Sequence, residues 1–388
     1  MLFRDIPGNP TFKTLLTKMI NSERLPHATM FSSHVGGGSL AYSLALSSYI
    51  MCEKKGDDAC GNCPHCLKSF NIIHPDIKIF FPSESKGESD TEYNHDELNI
   101  FKNIILQNPF ISEQDWREIL LRELEAKNKQ LQIYKNQVVK IIQEAKLKPM
   151  LGYLNIIIIW LPEQIHYGAI PKLLKLIEEP PEHTIFILAT EDQTKIIPTI
   201  LSRVQIFRIP PLKEVDLLEF LSKRTNVDLK KIGEVVNIAD GNISLSLKLV
   251  EEQEVPFHFP MFQSWMRACY TGNIPEIYSF IQNLDKLSRE QIKNFVFYSI
   301  HIFRETFNQK VGNYSTSKSQ PHEIAWIKKL EPSIDEIMLH DLRNKLEASY
   351  YQLERNGSAK IIFLNLSLDI SIQFRQAKKR ITDLCSIH

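Results

Sequence analysis

The sequence carries no excess of either charge: Lys plus Arg and Asp plus Glu number 46 each among 388 residues. A chain without a net positive field does not hold a polyanion unaided, so contact with nucleic acid is expected to be local or shared with partners. Long hydrophobic runs are missing too. The longest, Ile156 to Leu161, falls far below the ~20 residues a membrane helix needs. The opening MLFRDIPGNP lacks the apolar stretch of a secretory signal, so a cytoplasmic location is expected. Cysteine is scarce, and four of the six are crowded between Cys52 and Cys66, with Cys269 and Cys385 apart. That distribution does not suit a disulfide framework and favours metal binding. Signatures of nucleophilic hydrolysis such as G-x-S-x-G do not occur, and no internal repeat is evident. What remains is ordinary globular composition, 43% apolar and 24% charged, in a length that suggests about two or three domains.

Thr11 to Ile20 has apolar residues at Phe12, Leu15, Leu16 and Met19, the spacing of an amphipathic helix. Ala28 to Ser32 reads as a short buried strand, Gly36 to Gly38 as a glycine turn, and Leu40 to Met51 as a helix. Strand, glycine loop and helix in that order open a nucleotide-binding α/β unit. Further strands are expected over Asp76 to Phe81, Asn155 to Leu161 and Thr184 to Ala189, the last two β-branched enough for a parallel sheet buried on both faces. Pro82 to Glu97 is too polar to pack a core and is expected to be a mobile surface segment. Ser112 followed by Asp115 forms a capping box, beyond which Trp116, Ile119, Leu120 and Leu124 mark one face of a docked helix. Helices are also expected over Tyr134 to Ala145 and around Leu173, Leu174 and Ile177, the latter stopping at Pro180-Pro181. Past Pro211 helical periods dominate, with Gly241 breaking a small module between Val215 and Val250. The expected fold is an α/β core over residues 1–208 with a mainly parallel sheet, a small helical module over 209–252 and an all-α domain over 253–388.

Cys52, Cys60, Cys63 and Cys66, spaced C-x7-C-x2-C-x2-C, carry the strongest chemical signal. Four thiolates that converge tetrahedrally on Zn²⁺ leave no open position for water, so the site would be structural; the alternative is a chance cluster of reduced thiols. His65 and His74 lie nearby and are expected to be bystanders. Ser33-His34-Val35-Gly36-Gly37-Gly38-Ser39-Leu40 stands where a Walker A loop belongs, G-x-x-x-x-G-K-S/T, but Ser39 replaces the lysine, Leu40 the metal-binding hydroxyl and Ser33 the first glycine. An ordinary glycine turn remains the alternative. The strand Ile156 to Leu161 ends in Trp160 and Leu161 where a Walker B strand ends in acids. Glu163 follows and is expected to be solvated. Arg203, in Thr199-Ile200-Leu201-Ser202-Arg203, has as its ordinary role a surface position or a salt bridge to Glu191 or Asp192.

Taken in order, these segments resemble the clamp-loader family of AAA+ proteins. Ile6-Pro7-Gly8-Asn9, Arg24-Leu25-Pro26-His27-Ala28, the glycine loop, the cysteine module, His74-Pro75-Asp76, Leu173 to Pro181 with its Glu178-Glu179-Pro180-Pro181 end, Leu201-Ser202-Arg203, and Glu354-Arg355-Asn356 before Ile361 to Leu368 carry the likeness. The motor subunits of that family, gamma and tau, keep the Walker residues, so the resemblance points to its non-motor delta-prime branch. It implies a subunit of the DNA polymerase III holoenzyme without ATPase activity of its own and with no bound ATP. It further implies a structural zinc on the four cysteines, an AAA+ lid over 209–252 and a C-terminal collar over 253–388. Partners would be gamma/tau and delta, with the sliding clamp and primed DNA reached through the complex, and Arg203 would be an arginine finger acting in trans. Ser244 stands where an ATP-sensing arginine would. The chain departs from the pattern at Val204, where cysteine is common, in the cysteine spacing, and in a long insertion over about 82–135. Two other readings are an active gamma/tau-like ATPase motor, which intact Walker residues would signal, and a zinc-dependent DNA-binding module, which balanced charge argues against.

Overall fold

Five short strands, of which Ile77–Phe80, Asn155–Trp160 and Thr184–Thr190 are richest in β-branched and aromatic residues, form one parallel sheet in the order β2-β3-β4-β1-β5. They are β1 (Ala28–Ser32), β2 (Ile77–Phe80), β3 (Asn155–Trp160), β4 (Thr184–Thr190) and β5 (Gln205–Arg208). The computed structural model describes residues 1–22, 24–84, 95–124, 131–225, 227–252, 255–312, 321–354 and 357–385. Of the Glu354-Arg355-Asn356 segment, Arg355 and Asn356 lie outside the described residues. β3 and β4 are buried along their whole length, as a sheet covered on both faces requires, and Ile158 stands opposite Ile187 while Met30 stands opposite Leu188. β5 was not anticipated; an edge strand with exposed ends, it has no apolar run to announce it.

Two compact units divide the chain. The first comprises Met1–Leu221 with Gly241–Leu247, the second Ser222–Asp240 with Lys248–His388. In the first, α1 (Pro10–Asn21), α2 (Ser39–Met51), α3 (Pro64–Phe70), α4 (His95–Gln107), α5 (Glu113–Glu123), α6 (Lys135–Ala145), α7 (Ile170–Glu178) and the short α8 (Pro198–Leu201) accompany the sheet. Every residue of α2 is buried, which explains why it shows no polar face. Val138 and Ile141 of α6 and Leu173 and Ile177 of α7 pack with Ile157, Ile159, Phe186 and Leu188 in a single core.

The described parts of the insertion are docked, as expected for the helix beyond Ser112, and so, contrary to the mobile surface segment expected there, are the two edges of the stretch Pro82 to Glu97. Residues 85–94 lie outside the described residues, but Ser83 and Glu97 are buried and α4 begins within the stretch. Phe101 of α4 stacks on Phe81 with ring centroids 3.7 Å apart and packs against Trp116 and Trp160. The Trp116 indole N–H donates to the Pro82 carbonyl at 2.7 Å, so this buried ring is satisfied. The capping box forms as read: the Asp115 N–H donates to Ser112 Oγ and the Ser112 N–H to Asp115 Oδ2.

α9 (Glu214–Arg224) and α11 (Ile243–Glu252) have their residues shared between the units. The second unit contains α10 (Leu229–Ala239), α12 (Val255–Thr271), α13 (Ile274–Asn283), α14 (Arg289–Lys310), α15 (Pro321–Leu330), α16 (Glu336–Glu354) and α17 (Ala359–Cys385). Its core is aromatic: Trp265 stacks parallel to Phe280 and packs on Phe295 and Phe363, and its indole N–H donates to Ser367 Oγ at 2.8 Å. Among the described residues no helix is long and apolar enough to cross a membrane.

Candidate functional site

The four cysteines converge. The Sγ atoms of Cys52, Cys60, Cys63 and Cys66 all lie within 4.8 Å of one another, and those of Cys60 and Cys66 are 3.9 Å apart. A regular tetrahedron of Zn–S bonds of ~2.3 Å has sulfurs ~3.8 Å apart, so the donor set fits a zinc ion with little movement. The winding of the loop brings the sulfurs together. Gly61 takes a left-handed φ of 82°, and the N–H groups of Cys60, Cys63 and Cys66 point at Cys52, Cys60 and Cys63 sulfurs respectively. Cys63 also caps α3, with Pro64 at its first position. Burial pushes the Cys52 and Cys66 thiols up, whereas the Asn62 N–H, with help from that of Cys63, draws Cys60 down to about 6. His65 and His74 face each other, Nδ1 to Nε2 at 2.9 Å, and His74 Nδ1 accepts the Asp76 N–H, so neither joins the sulfurs.

The carboxylate of His74-Pro75-Asp76 is structural. Asp76 accepts N–H bonds from Met150, Leu151 and Gly152 at 2.6 to 2.9 Å, which fastens the loop entering β3. Burial alone would raise its pKa, but these three donors outweigh it and hold the carboxyl below its ordinary value.

At the C-terminal ends of β1, β3 and β4 the chain collects acids around the glycine turn. The Gly36 N–H donates to Glu191 Oε1 at 3.3 Å, and the Glu113 N–H at the start of α5 donates to Glu191 Oε2 at 3.1 Å. Contrary to the expectation that it is solvated, Glu163 is buried: Oε1 accepts the Thr190 hydroxyl at 3.0 Å and Oε2 is shut off from solvent without a partner. Glu113 itself pairs with Arg117 at 2.9 Å and accepts from the Gln164 amide. Ser39 and Leu40 are buried, and Trp160 is packed against the insertion. Ser244 donates to Asp115 Oδ2. From sequence Asp115 reads only as a cap, Glu191 only as a possible partner of Arg203 and Glu113 not at all, because nothing near Glu191 signals a partner in a loop 155 residues away.

Burial raises Glu163 to about 7 and Glu191 to about 8; two N–H donors pull Glu191 back, while Asp115 and Glu163 push it up. The folded chain therefore keeps these protons between about pH 4.5 and about pH 8, where the unfolded chain has released them, and stability falls as pH rises through that window. The melting temperature of the Glu163→Gln, Glu191→Gln double variant is expected to depend less on pH between about 6 and about 8 than that of the wild type, measured by circular dichroism. Parallel pH profiles for the two proteins would contradict the assignment.

Arg203 sits at the surface and is paired with Glu178, not with Glu191 or Asp192. Glu191 is turned into the glycine loop, and Asp192 caps its own turn at Thr194 and meets Lys195 at 3.6 Å. The guanidinium also donates to the Thr199 carbonyl at 2.9 Å and to Ser202 Oγ at 3.1 Å.

Comparison with known proteins places these features in a family. The family model described as DNA polymerase III, delta subunit, matches residues 8–213. The chain is 26% identical over 204 residues to DNA polymerase III subunit delta' of Bacillus subtilis, covering 53% of this chain and 48% of that one. It is 23% identical over 282 residues to subunit tau of the same organism, covering 71% of this chain and 42% of that one. The matches thus span less than half the length of either curated relative. A solved gamma subunit-related protein of Thermotoga maritima aligns with a TM-score of 0.40 at 12% identity, over 93% of this chain and 99% of that one. Since the family match covers more than half of the sequence, from the glycine after Pro7 through the sheet and past Arg203, the chain belongs to the DNA polymerase III delta-subunit family of clamp-loader proteins.

Proposed function

We propose that the chain is a non-motor, delta-prime-type subunit of a sliding-clamp loader, working in the cytoplasm, that neither binds nor hydrolyses ATP. The observation that carries this reading is the state of the two Walker positions. Ser39 and Leu40 are buried, and Trp160 and Leu161 are fully packed, so neither a cation for the phosphates nor a carboxylate for Mg²⁺ stands where phosphoryl transfer needs them. In this reading residues 1–208 are the AAA+ core, 209–252 its lid and 253–388 the collar. Gamma or tau and delta are the partners, and the sliding clamp and primed DNA are met through the complex. The four cysteines hold a structural zinc, and Arg203 serves as an arginine finger for ATP bound by the neighbouring subunit.

The collar assignment is supported by α17. Its inward residues Phe363, Leu366, Ile370 and Phe374 are buried, yet Ile361, Leu364, Leu368 and Ile372 remain 38% to 70% exposed at helical spacing along another face. An apolar stripe of that kind suits helix packing between subunits. Co-expression with gamma or tau and delta is expected to yield a stable complex, and calorimetry of the isolated chain to show no Mg-ATP binding. Micromolar Mg-ATP binding would move the chain to the motor class. Leu364→Glu with Leu368→Glu is expected to abolish co-purification while leaving the monomer folded, because both side chains point to solvent. Undiminished co-purification would remove α17 from the interface.

A further inference from the structure

The insertion reaches the glycine loop, and it does so with the residues that start α5. Phe110 is buried with its ring against Gly38, where a Cβ would lie 3.1 Å from it, and its other side meets the Phe220 ring at 5.7 Å. Glu191 joins the Gly36 N–H to the Glu113 N–H, one carboxyl oxygen to each. Asp115 receives Ser244, which occupies the position of an ATP-sensing arginine in the family resemblance. Gly36 has φ of 67°, and a side chain there would collide with the Asn242 amide, whose segment also covers the loop through the Ile243 N–H bond to the Gly36 carbonyl at 3.2 Å. Trp160, at the other Walker position, is held by Phe101 of the same insertion. The elements at both degenerate Walker positions thus meet the insertion directly.

We propose that residues 108–115 of the insertion are a permanent intramolecular occupant of the cleft over Gly36–Gly38, clamped there by Glu191, and that this occupation closes the loop to phosphate-bearing ligands. The inference rests on reading Gly36–Gly38 as the remnant of a phosphate loop. Backbone N–H groups at the start of a helix attract an anion without help from lysine, so loss of the Walker lysine weakens such a loop but does not by itself block it. Glu191 supplies the oxygen acceptors that a phosphate would otherwise offer. Burial raises its pKa, which lessens its repulsion with Asp115 and Glu163, while the two N–H donors favour its charged, accepting form.

The test uses the full chain and two readouts: hydrogen exchange of the Gly36 amide, and binding of inorganic pyrophosphate by calorimetry. Glu191→Ala is expected to speed Gly36 exchange about tenfold or more while the β3 and β4 amides stay protected. Glu191→Ala and Phe110→Ala are both expected to bind pyrophosphate, and the wild type is not. If the alanine variants fail to fold, Glu191→Gln, which keeps the shape and one accepting oxygen, is expected to give a smaller rise in Gly36 exchange. Unchanged Gly36 exchange in the folded variants would overturn the clamp. Equal pyrophosphate binding by wild type and variants, or none by any of them, would overturn occupation as what closes the loop. Neither readout involves other subunits, so it can fail while co-purification with gamma or tau still stands, and the reverse.

Discussion

A clamp loader reconstituted with Arg203→Ala is expected to assemble normally and, if Arg203 is the proposed finger, to lose ~10³-fold or more of its clamp- and DNA-stimulated ATP turnover. Phosphoryl transfer spreads charge over the γ-phosphate oxygens, and a guanidinium offers that charge a planar, permanently ionised fork. The competing role is the ion pair Arg203 makes in its own chain with Glu178. Magnitudes separate the two. An exposed pair contributes about 0 to 1 kcal/mol, whereas a 10³-fold rate loss corresponds to ~4 kcal/mol of transition-state stabilisation. Glu178→Ala therefore serves as the control: it removes the same ion pair, and turnover is expected to persist. Arg203→Lys keeps the charge but not the fork and is expected to recover only part of the activity. Unchanged turnover with Arg203→Ala would refute the finger, and failure to assemble would assign Arg203 a structural role.

Much of the first unit was legible because its signals are local. β1, β3 and β4 follow from β-branched and aromatic runs, α2 from a breaker-free stretch after Gly38, and the start of α5 from Ser112 and Asp115, whose reciprocal bonds need only three residues of sequence. The cysteine spacing likewise led to a real convergence of sulfurs. What was not legible depends on contacts across the chain. β5 is an edge strand whose pairing with β1, not its composition, makes it a strand. α4 starts among polar residues, and the burial of Phe101 against Phe81 and Trp160 shows that this part of the insertion packs as well. Glu163 and Glu191 look like ordinary loop acids in sequence, because burial is a property of the fold around them. Trp160 could be read as a missing acid but not as the anchor of an insertion more than fifty residues upstream.

Purified without chelator, the chain is expected to carry about one zinc, and Cys63→Ser is expected to lose it, because a hydroxyl does not replace a thiolate in a four-sulfur set. The energetic case starts from the apo state: burial favours the neutral thiol at Cys52 and Cys66, so the sulfurs become a charged cage only when a cation offsets that burial. Structural zinc sites contribute an apparent ~10 to 16 kcal/mol at neutral pH, comparable to or larger than the whole stability of a typical domain. The loss should nevertheless stay local. The module is tied to the N-terminal segment through Asp58, which accepts the Phe3 and Arg4 N–H groups at 3.2 and 2.9 Å, while the sheet is held by its own ladder and by the packing of α6 and α7. Hydrogen exchange of Cys63→Ser is accordingly expected to show lost protection across residues 52–74 with β3 and β4 unchanged. Zinc uptake releases thiol protons, so affinity should weaken as the pH is lowered. Elemental analysis that finds no zinc in the chelator-free protein would refute the site, and global unfolding of Cys63→Ser would show that the metal supports the whole α/β unit and not one loop.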